Sequence, residues 1–350
     1  MAMDGLILLL RALDNRIDTH LPPSALSPLC VPVPSTCARR RRPPNTKTPW
    51  CPRLNLLSTF TMAAATHTSW RAVQLITVIV LLSHFTAVSP HGLPRPFQLP
   101  PTPSNVVTRS ISYQCDGKTY EGFAAIPSTT RQARPGVLIG HTWTGLGPME
   151  QYRAAQVASK LGFVAFALDV YGTGVRPTTQ AAAKIEMNKV LSNLTDFHRR
   201  VECGMSQLMA TTTPQGTPNG AHVNASLLFA NGYCFGGVMV LELARRGKYP
   251  SLKAVSSFHG ELGNLTSQST DRVSAVVQVH HADLDFQGAA GLLLFEDEMR
   301  SQNVSHWSTT KYGQVSHGWT DPTSENYRKF EADQAHNNMF SLYTQILEVA

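Results

Sequence analysis

The chain has 350 residues, of which 42% are hydrophobic and 15% are charged. This composition is ordinary for a globular protein and excludes both an acidic disordered chain and a protein with many membrane spans. The formal net charge is +7, but residues 1–61 hold eight Lys and Arg against three Asp, which accounts for +5 of it. The rest of the chain is nearly neutral, so we expect no nucleic-acid partner.

Residues 1–61 read as a disordered leader or as sequence upstream of the true start. They contain nine of the 23 prolines and the arginine run Arg39–Arg42, and they lack a sustained helix or strand period. Proline and like charge prevent a segment from burying enough apolar area to fold. The alternative interpretation is a basic targeting arm or an arm that binds nucleic acid.

Residues 62–90 have the pattern of a secretory signal peptide. A short polar segment ends at Arg71, an apolar stretch follows from Val73 to Leu82, and small residues come at Ala87 and Ser89. A positive start, roughly 7–15 apolar residues and a small-residue exit define such a signal. We therefore expect translation to begin at Met62 and the mature protein to be secreted. The alternatives are a signal anchor or a cytoplasmic protein.

Residues 91–350 form the predicted domain, in which strands alternate with helices after an initial hairpin. Apolar runs such as 136–140 are typical of strands buried on both faces. The alternation predicts an α/β fold with a mostly parallel sheet covered by helices on both faces. The predicted strands are 107–114, 120–126, 136–140, 163–170, 226–230, 253–258, 273–280 and 306–312, and the predicted helices are 149–161, 179–209, 235–246, 289–302 and 324–348.

Cysteines and glycosylation sequons agree with secretion. Beyond residue 90 only Cys115, Cys203 and Cys234 remain, so at least one thiol is unpaired within the domain. Cys115 and Cys203 are the candidates for a disulfide; the alternative is that all three are reduced. Four Asn-x-Ser/Thr sequons predict a glycoprotein; they begin at Asn193, Asn224, Asn264 and Asn303.

The strongest chemical signal is the segment Asn231–Gly237, which joins a predicted strand directly to a predicted helix. In it, Cys234 lies between Gly232 and Gly236. This is the strand–turn–helix context of a nucleophile elbow, with Cys in place of the usual Ser. The amides and dipole at the helix start favour a thiolate. The alternative is that Cys234 is a small buried apolar residue.

A cysteine nucleophile needs a base and a group that orients the base. Asp285 follows one predicted strand and His317 follows the next. The chain order Cys234, Asp285, His317 is the nucleophile–acid–histidine order of α/β-hydrolases. We predict that His317 takes the proton and that Asp285 holds its imidazole. Asp283 is the alternative acid.

The cluster of His280, His281, Asp283 and Asp285 also permits a metal-site interpretation. Adjacent residues on a strand point to opposite faces, so the two histidines are poor joint ligands. Spaced Cys and His motifs typical of zinc sites are lacking. We therefore expect neither a metal nor a cofactor.

The loop Gly140–Gly147 follows the first parallel strand, where α/β-hydrolases supply one amide of the oxyanion hole. The other amide comes from the residue after the nucleophile, here Phe235. Two such donors stabilise the charge that develops on the substrate oxygen. The alternative is a glycine-rich turn with a packed tryptophan.

The elbow Gly232–Gly237 resembles that of the dienelactone hydrolase (carboxymethylenebutenolidase) family. The segments 166–172, 282–285 and 317–322 and the final stretch 327–341 resemble the same family, so the likeness covers roughly residues 107–348. It implies an α/β-hydrolase fold and a triad of Cys234, Asp285 and His317. It also implies an oxyanion hole made by the amides of Trp143 and Phe235. Thr142, Tyr171 and Trp319 are then candidates for the substrate pocket.

Two positions depart from the family pattern. Thr142 occupies the place of a glutamate that helps to control cysteine ionisation, and Asp321 occupies the place of an arginine that grips the substrate carboxylate. Because Asp321 would repel a carboxylate, the expected substrate is a neutral or differently charged small ester or lactone. We expect hydrolysis through a thioester acyl-enzyme and no stable membrane partner after signal removal; the oligomeric state is not set by the sequence. The alternatives are a hydrolase of this fold acting on thioesters or peptides and a non-catalytic secreted binding protein.

Overall fold

The computed structural model describes residues 99–128, 132–211, 223–265 and 273–349. The segments interpreted as a leader (1–61) and as a signal peptide (62–90) lie outside the described residues. Eight strands form one sheet in the order β1-β2-β4-β3-β5-β6-β7-β8. The strands are β1 Val106–Cys115, β2 Lys118–Pro127, β3 Arg134–Gly140, β4 Val164–Ala167, β5 Val223–Tyr233, β6 Leu252–Phe258, β7 Val276–Ala282 and β8 Trp307–Tyr312.

The sheet is antiparallel at one edge and parallel elsewhere. Strands β1 and β2 form a hairpin whose Asp116-Gly117 turn has positive φ at both residues, as the Asp-Gly signal predicts. Strand β2 runs antiparallel to β4, and all the remaining neighbours are parallel. The carboxyl ends of six strands therefore meet at one edge of the sheet, where α/β folds place their binding and catalytic loops.

Helices cover both faces of this sheet, as the α/β prediction requires. Leu138 of β3 faces one apolar cluster, which includes Phe197 and Met205, while Val137 and Ile139 face the other cluster. The two clusters use alternate residues of the strand because successive side chains point to opposite faces. The helices are α1 Pro148–Leu161, α2 Gln180–Leu191, α3 Leu194–Ala210, α4 Phe235–Arg246, α5 Gly288–Ser301 and α6 Lys329–Val349.

Most predicted elements differ from the observed ones at their ends: the strand predicted at 226–230 spans Val223–Tyr233, and the one predicted at 273–280 spans Val276–Ala282. Three further differences are as follows. The strand predicted at 163–170 ends at Ala167, because the Asp169 carboxylate accepts hydrogen bonds from the amides of Tyr171 and Gly172 and turns the chain. The helix predicted at 179–209 is two helices, since Asn193 caps a new helix by accepting a hydrogen bond from the Asp196 amide. The final helix begins at Lys329 rather than 324.

A disulfide joins Cys115, at the end of β1, to Cys203 on α3. This pairing is the one that the sequence made a candidate. It closes a loop with a sequence separation of 88 residues, for which chain-entropy arguments give about 4.6 kcal/mol of stabilisation. Among the described residues, Cys234 is the free cysteine. None of the helices in these ranges is both long and apolar enough to cross a bilayer.

Candidate active site

Cys234 occupies the sharp turn between β5 and α4. Its φ of 55° and ψ of −117° lie in a region that residues with side chains rarely adopt, so the turn stores backbone strain. The turn is fixed by two hydrogen bonds: the Cys234 amide donates to the Phe258 carbonyl over 3.0 Å, and the Gly237 amide donates to the Cys234 carbonyl over 2.9 Å. The thiol is half-buried and lies at the start of α4, as the elbow motif predicts.

Three glycines allow the elbow to pack directly against the end of β3. A Cβ on Gly232 would collide with the backbone of Gly236, and a Cβ on Gly236 would collide with the backbone of Gly140. Real side chains do not tolerate such contacts with backbone atoms, so the three positions require glycine. Because the loop Gly140–Gly147 begins at this glycine, the contact sets the distance between that loop and Cys234.

His317 and Asp285 form a hydrogen-bonded pair at the ends of β8 and β7. The distance from His317 Nδ1 to Asp285 Oδ2 is 3.0 Å, and the Asp285 side chain is fully buried. The alternative acid, Asp283, instead forms an ion pair of 3.0 Å with Lys311. The structure therefore places Asp285, and not Asp283, against the histidine.

The surroundings of His317 favour its protonated form. Burial lowers the pKa of His317, but hydrogen bonds and charge attraction from Asp285 and Cys234 outweigh burial and raise it to about 10. The His317 ring thus bonds to a buried carboxylate through Nδ1, and Cys234 is near enough to contribute to the raised pKa. Cys234, Asp285 and His317 therefore lie near one another at the carboxyl edge of the sheet.

The loop after β3 presents the second group of predicted residues. In the described part of the chain, the amides of Trp143 and Phe235 donate to no carbonyl or side-chain acceptor. The loop is held in place by two side chains. Glu150 accepts from the amides of Thr142 (3.1 Å) and Gly147 (2.8 Å), and the Tyr171 hydroxyl donates to the Trp143 carbonyl over 2.7 Å.

The three candidates for the substrate pocket have different positions. Thr142 is partly exposed and its hydroxyl lies 2.8 Å from that of Thr144. Tyr171 is mostly buried, and burial together with the nearby Cys234 raises the pKa of its phenol. Trp319, which we expected at the pocket wall, is instead fully buried and packs on Tyr312 with ring centroids 4.5 Å apart. Its ring therefore belongs to the apolar core next to the loop that carries His317.

A sequence model of the dienelactone hydrolase family matches residues 120–347. The chain belongs to this family. It is accordingly an α/β-hydrolase and a carboxylic ester hydrolase. No curated protein matches the chain.

Solved structures support the same assignment. A dienelactone hydrolase-like promiscuous phosphotriesterase from metagenomic libraries is 25% identical with a TM-score of 0.62, and the match covers 69% of this chain and 99% of that one. A provisionally assigned dienelactone hydrolase from Klebsiella pneumoniae is 16% identical with a TM-score of 0.54, over 69% and 99% of the two chains. An acylaminoacyl peptidase from Pyrococcus horikoshii is 13% identical with a TM-score of 0.50, over 70% and 42%. The last two show the fold alone.

Several residues at the site of this dienelactone hydrolase family member were missed by sequence reasoning. Glu150 sits at the third position of α1, where the only signal is that of a capping box. His259, which belongs to no motif in the sequence, has a structural position at the site. It is buried at the end of β6, its ring lies edge-on to His317 at 4.8 Å, and its Nε2 lies 2.8 Å from the Thr320 hydroxyl. His259 and Thr320 thus join the β6 end to the His317 loop.

The mouth of the site carries two exposed apolar side chains that flank Asp285. Leu284 is 54% exposed and Phe286 is 59% exposed. The Phe286 ring lies 5.3 Å from the His317 ring. Other apolar side chains of the described surface, such as Leu294 and Phe330, are exposed as well, so it is the position of Phe286 beside the His317 ring that gives this edge of the site an apolar surface.

The described residues contain no group of three or more His, Cys, Asp or Glu side chains arranged to hold a metal ion. The histidines of the proposed metal cluster have other partners. His280 Nδ1 lies 3.1 Å from the Tyr312 hydroxyl, and His281 Nε2 lies 3.2 Å from the Gly288 carbonyl. As expected for neighbours on a strand, the two side chains do not converge.

Replacing Gly232 with Ala tests the close approach at the elbow. The new Cβ would meet the Gly236 backbone, so we expect a loss of about 1–3 kcal/mol in the free energy of unfolding and a large loss of esterase activity. Gly263→Ala is the matched control, because a Cβ at Gly263 meets no atom within 4 Å. Urea unfolding and ester hydrolysis measure both variants. Equal behaviour of the two variants would contradict the packing argument.

Replacing Asp285 with Asn tests the origin of the raised His317 pKa. Asp285 contributes to raising this pKa from its ordinary value of 6.5 to about 10, so the variant's imidazole is expected to titrate at lower pH. The raised pKa stabilises the fold below about pH 6.5, and this contribution is lost as pH rises through about 10. The measurement is an NMR pH titration of His317. Asp283→Asn should leave it unchanged, and an equal shift in both variants would refute the assignment.

Proposed function

We propose that the protein hydrolyses small neutral esters or lactones, with Cys234 as nucleophile, His317 as acid and base, and Asp285 as the group that orients His317. The observation that carries the proposal is the position of His317. It lies 3.0 Å from the buried Asp285 carboxylate, and the elbow cysteine is near enough to help raise its pKa. Nucleophile, base and orienting acid joined in this way are the signature of covalent catalysis.

The proposed reaction proceeds through a thioester. The Cys234 thiolate attacks the substrate carbonyl carbon, and the Trp143 and Phe235 amides stabilise the resulting oxyanion. As the carbon–oxygen bond to the leaving group breaks, the His317 imidazolium gives its proton to the departing alkoxide. Neutral His317 then takes a proton from water, and the hydroxide attacks the thioester. Breaking of the carbon–sulfur bond releases the acid and restores the thiolate with its protonated histidine.

The surroundings of the site favour an uncharged, apolar substrate. Asp321 stands where the family's carboxylate-binding arginine is expected, and its carboxylate accepts hydrogen bonds from the Thr323 amide and hydroxyl. Leu284 and Phe286 add apolar surface at the mouth. An anionic substrate would meet repulsion without a compensating cation from position 321, whereas an aryl or alkyl ester could pack against Phe286.

Neutral phosphotriesters are a second candidate substrate class. The structure that is 25% identical to this chain is a promiscuous phosphotriesterase. A phosphotriester is uncharged, as the apolar mouth requires, and its phosphoryl oxygen could accept from the same two amides as a carbonyl oxygen. A phosphotriester therefore serves as a second probe beside an ester.

The test of the proposed function is hydrolysis of a short-chain aryl ester by secreted protein that begins near residue 90. We expect turnover in the wild type and a loss of 10³-fold or more in Cys234→Ala, because the nucleophile is removed. Mass spectrometry of wild type stopped by acid should reveal the acyl group on Cys234. Equal turnover in the two proteins would remove Cys234 from the mechanism. Absence of turnover in a folded wild type would favour a binding protein.

Replacing Phe286 with Ala tests the apolar mouth. Loss of one aromatic contact, worth about 0.5–1.5 kcal/mol, predicts a 2- to 10-fold increase in KM for an aryl ester, with little change in kcat. The KM for the corresponding methyl ester should change much less. Leu293→Ala, which removes an exposed side chain from α5, is the control. If both substrates lose equally, Phe286 has no role in selectivity.

We also propose that the protein is secreted and glycosylated. The Cys115–Cys203 disulfide fits an oxidising compartment, and Asn193 and Asn303 are exposed. The Asn264 amide instead donates to Glu298 over 2.9 Å, which opposes attachment of a glycan there. Expression in a secreting eukaryotic cell should give protein that loses one glycan in Asn193→Gln or Asn303→Gln, but none in Asn264→Gln. Unglycosylated protein retained in the cell would contradict the proposal.

A further inference from the structure

His141, the first residue after β3, is a fully buried residue of the loop Gly140–Gly147. Both of its ring nitrogens have backbone partners. The Val170 amide lies 3.2 Å from Nε2. A backbone N–H can only donate a hydrogen bond, so Nε2 must be the unprotonated nitrogen. The proton is therefore on Nδ1, which lies 2.6 Å from the Thr142 carbonyl and donates to it. These two contacts fix a single neutral tautomer.

The charge state of His141 agrees with this geometry. Burial lowers the pKa of His141, against the opposing attraction of Asp169 and the hydrogen bond to Thr142. Protonation of Nε2 would also place two N–H groups against each other, at His141 and Val170. The ring therefore remains neutral and acts as a rigid donor to the Thr142 carbonyl.

The peptide that His141 holds is the one that carries the Trp143 amide. In a trans peptide, the carbonyl of one residue and the amide hydrogen of the next point in opposite directions in one plane. Fixing the Thr142 oxygen, which also accepts from the Gly145 amide over 3.1 Å, therefore fixes the direction of the Trp143 N–H.

Neighbouring peptides of the same loop are held by other buried side chains. Glu150 accepts from the Thr142 amide and the Tyr171 hydroxyl donates to the Trp143 carbonyl. The His141 ring in turn packs edge-on against Tyr171 with centroids 4.8 Å apart. Three side chains thus restrain three successive peptides, and the central peptide depends on His141.

We propose that His141 is a positioning residue that aims the Trp143 amide at the oxyanion, by donating from Nδ1 to the Thr142 carbonyl. This inference rests on the proposed function. His141 touches neither substrate nor Cys234 in this role, and its effect is confined to steps that develop an oxyanion. Alkylation of the thiolate by iodoacetamide develops no such charge, so it should not depend on His141.

The experiment compares ester hydrolysis with iodoacetamide alkylation of Cys234 in His141→Leu, His141→Asn and His141→Gln. Loss of one oxyanion donor costs about 10²–10³ in rate, so we expect His141→Leu to lower kcat/KM by 10- to 100-fold through kcat. Its alkylation rate should stay within 2-fold of wild type. His141→Asn should recover much of the activity, because the Asn amide nitrogen can occupy the place of Nδ1, and His141→Gln should recover less. His306→Leu, at an exposed histidine, is the control with unchanged rates.

Three results would overturn the proposal: unchanged esterase activity in His141→Leu, a parallel loss of esterase and alkylation rates, or equal activity of the Asn and Gln variants. Unfolding midpoints identify any variant that does not fold, and if His141→Leu fails to fold the Asn and Gln comparison decides. Failure of the proposed function has a different signature, since Cys234→Ala would then hydrolyse the ester as fast as wild type. In that case the proposed role of His141 in the reaction would also be refuted.

Discussion

The contact between the end of β3 and the elbow is the constraint on which the site depends. Gly140, Gly232 and Gly236 bring three backbone segments together at distances that no side chain permits. Once these segments touch, the start of α4, the strained cysteine and the loop that carries Trp143 have one mutual arrangement. Backbone packing therefore sets the relative positions of these groups, and side-chain contacts adjust them. Because the contact joins two central strands, a small shift in either would move both halves of the site.

Two buried polar side chains of the site have partners that offset part of the cost of burial. His141 bonds to backbone groups through both ring nitrogens, and Asp285 pairs with His317 through Oδ2, while its Oδ1 has no protein partner. Burial lowers the pKa of both histidines, but their partners differ. His141 has backbone partners and remains neutral, whereas His317 faces two groups that carry or can carry negative charge, and its proton is retained. In the proposed mechanism the same kind of side chain is therefore a fixed hydrogen-bond donor at position 141 and a proton carrier at position 317.

Much of this arrangement could be predicted from the sequence, because it depends on patterns of neighbouring residues. The glycine frame around Cys234, the Asp-Gly turn of the first hairpin and the alternation of strands and helices predict the fold and the elbow. Chain order together with the family resemblance predicted Asp285 as the acid, with Asp283 as the alternative, and the contacts of the two carboxylates agree with that choice. Lys311, which pairs with Asp283, comes from another strand.

Features that depend on packing between residues far apart in the chain could not be predicted from the sequence. Trp319 belongs to a segment typical of an active site, yet its ring is fully buried in the apolar core. Glu150 reads as an ordinary residue of the first helical turn, and only the fold brings its carboxylate to the Thr142 amide. The split of the predicted helix at Asn193 is a further example, because asparagine can either cap a helix or occupy its interior, and tertiary contacts decide between them.

The pairing of Cys115 with Cys203 has a consequence for the remaining thiol. Within the described residues it leaves Cys234 without a second thiol that could react with it. A half-exposed thiolate is oxidised to sulfenic acid, and a nearby cysteine is what normally rescues that state as a disulfide. An enzyme that works through such a thiolate outside the reducing interior of a cell would depend on an external reductant, or would lose activity with each oxidation event. If Cys234 is the nucleophile as proposed, the surroundings of the protein, and not a second thiol among the described residues, would determine how long the enzyme stays active.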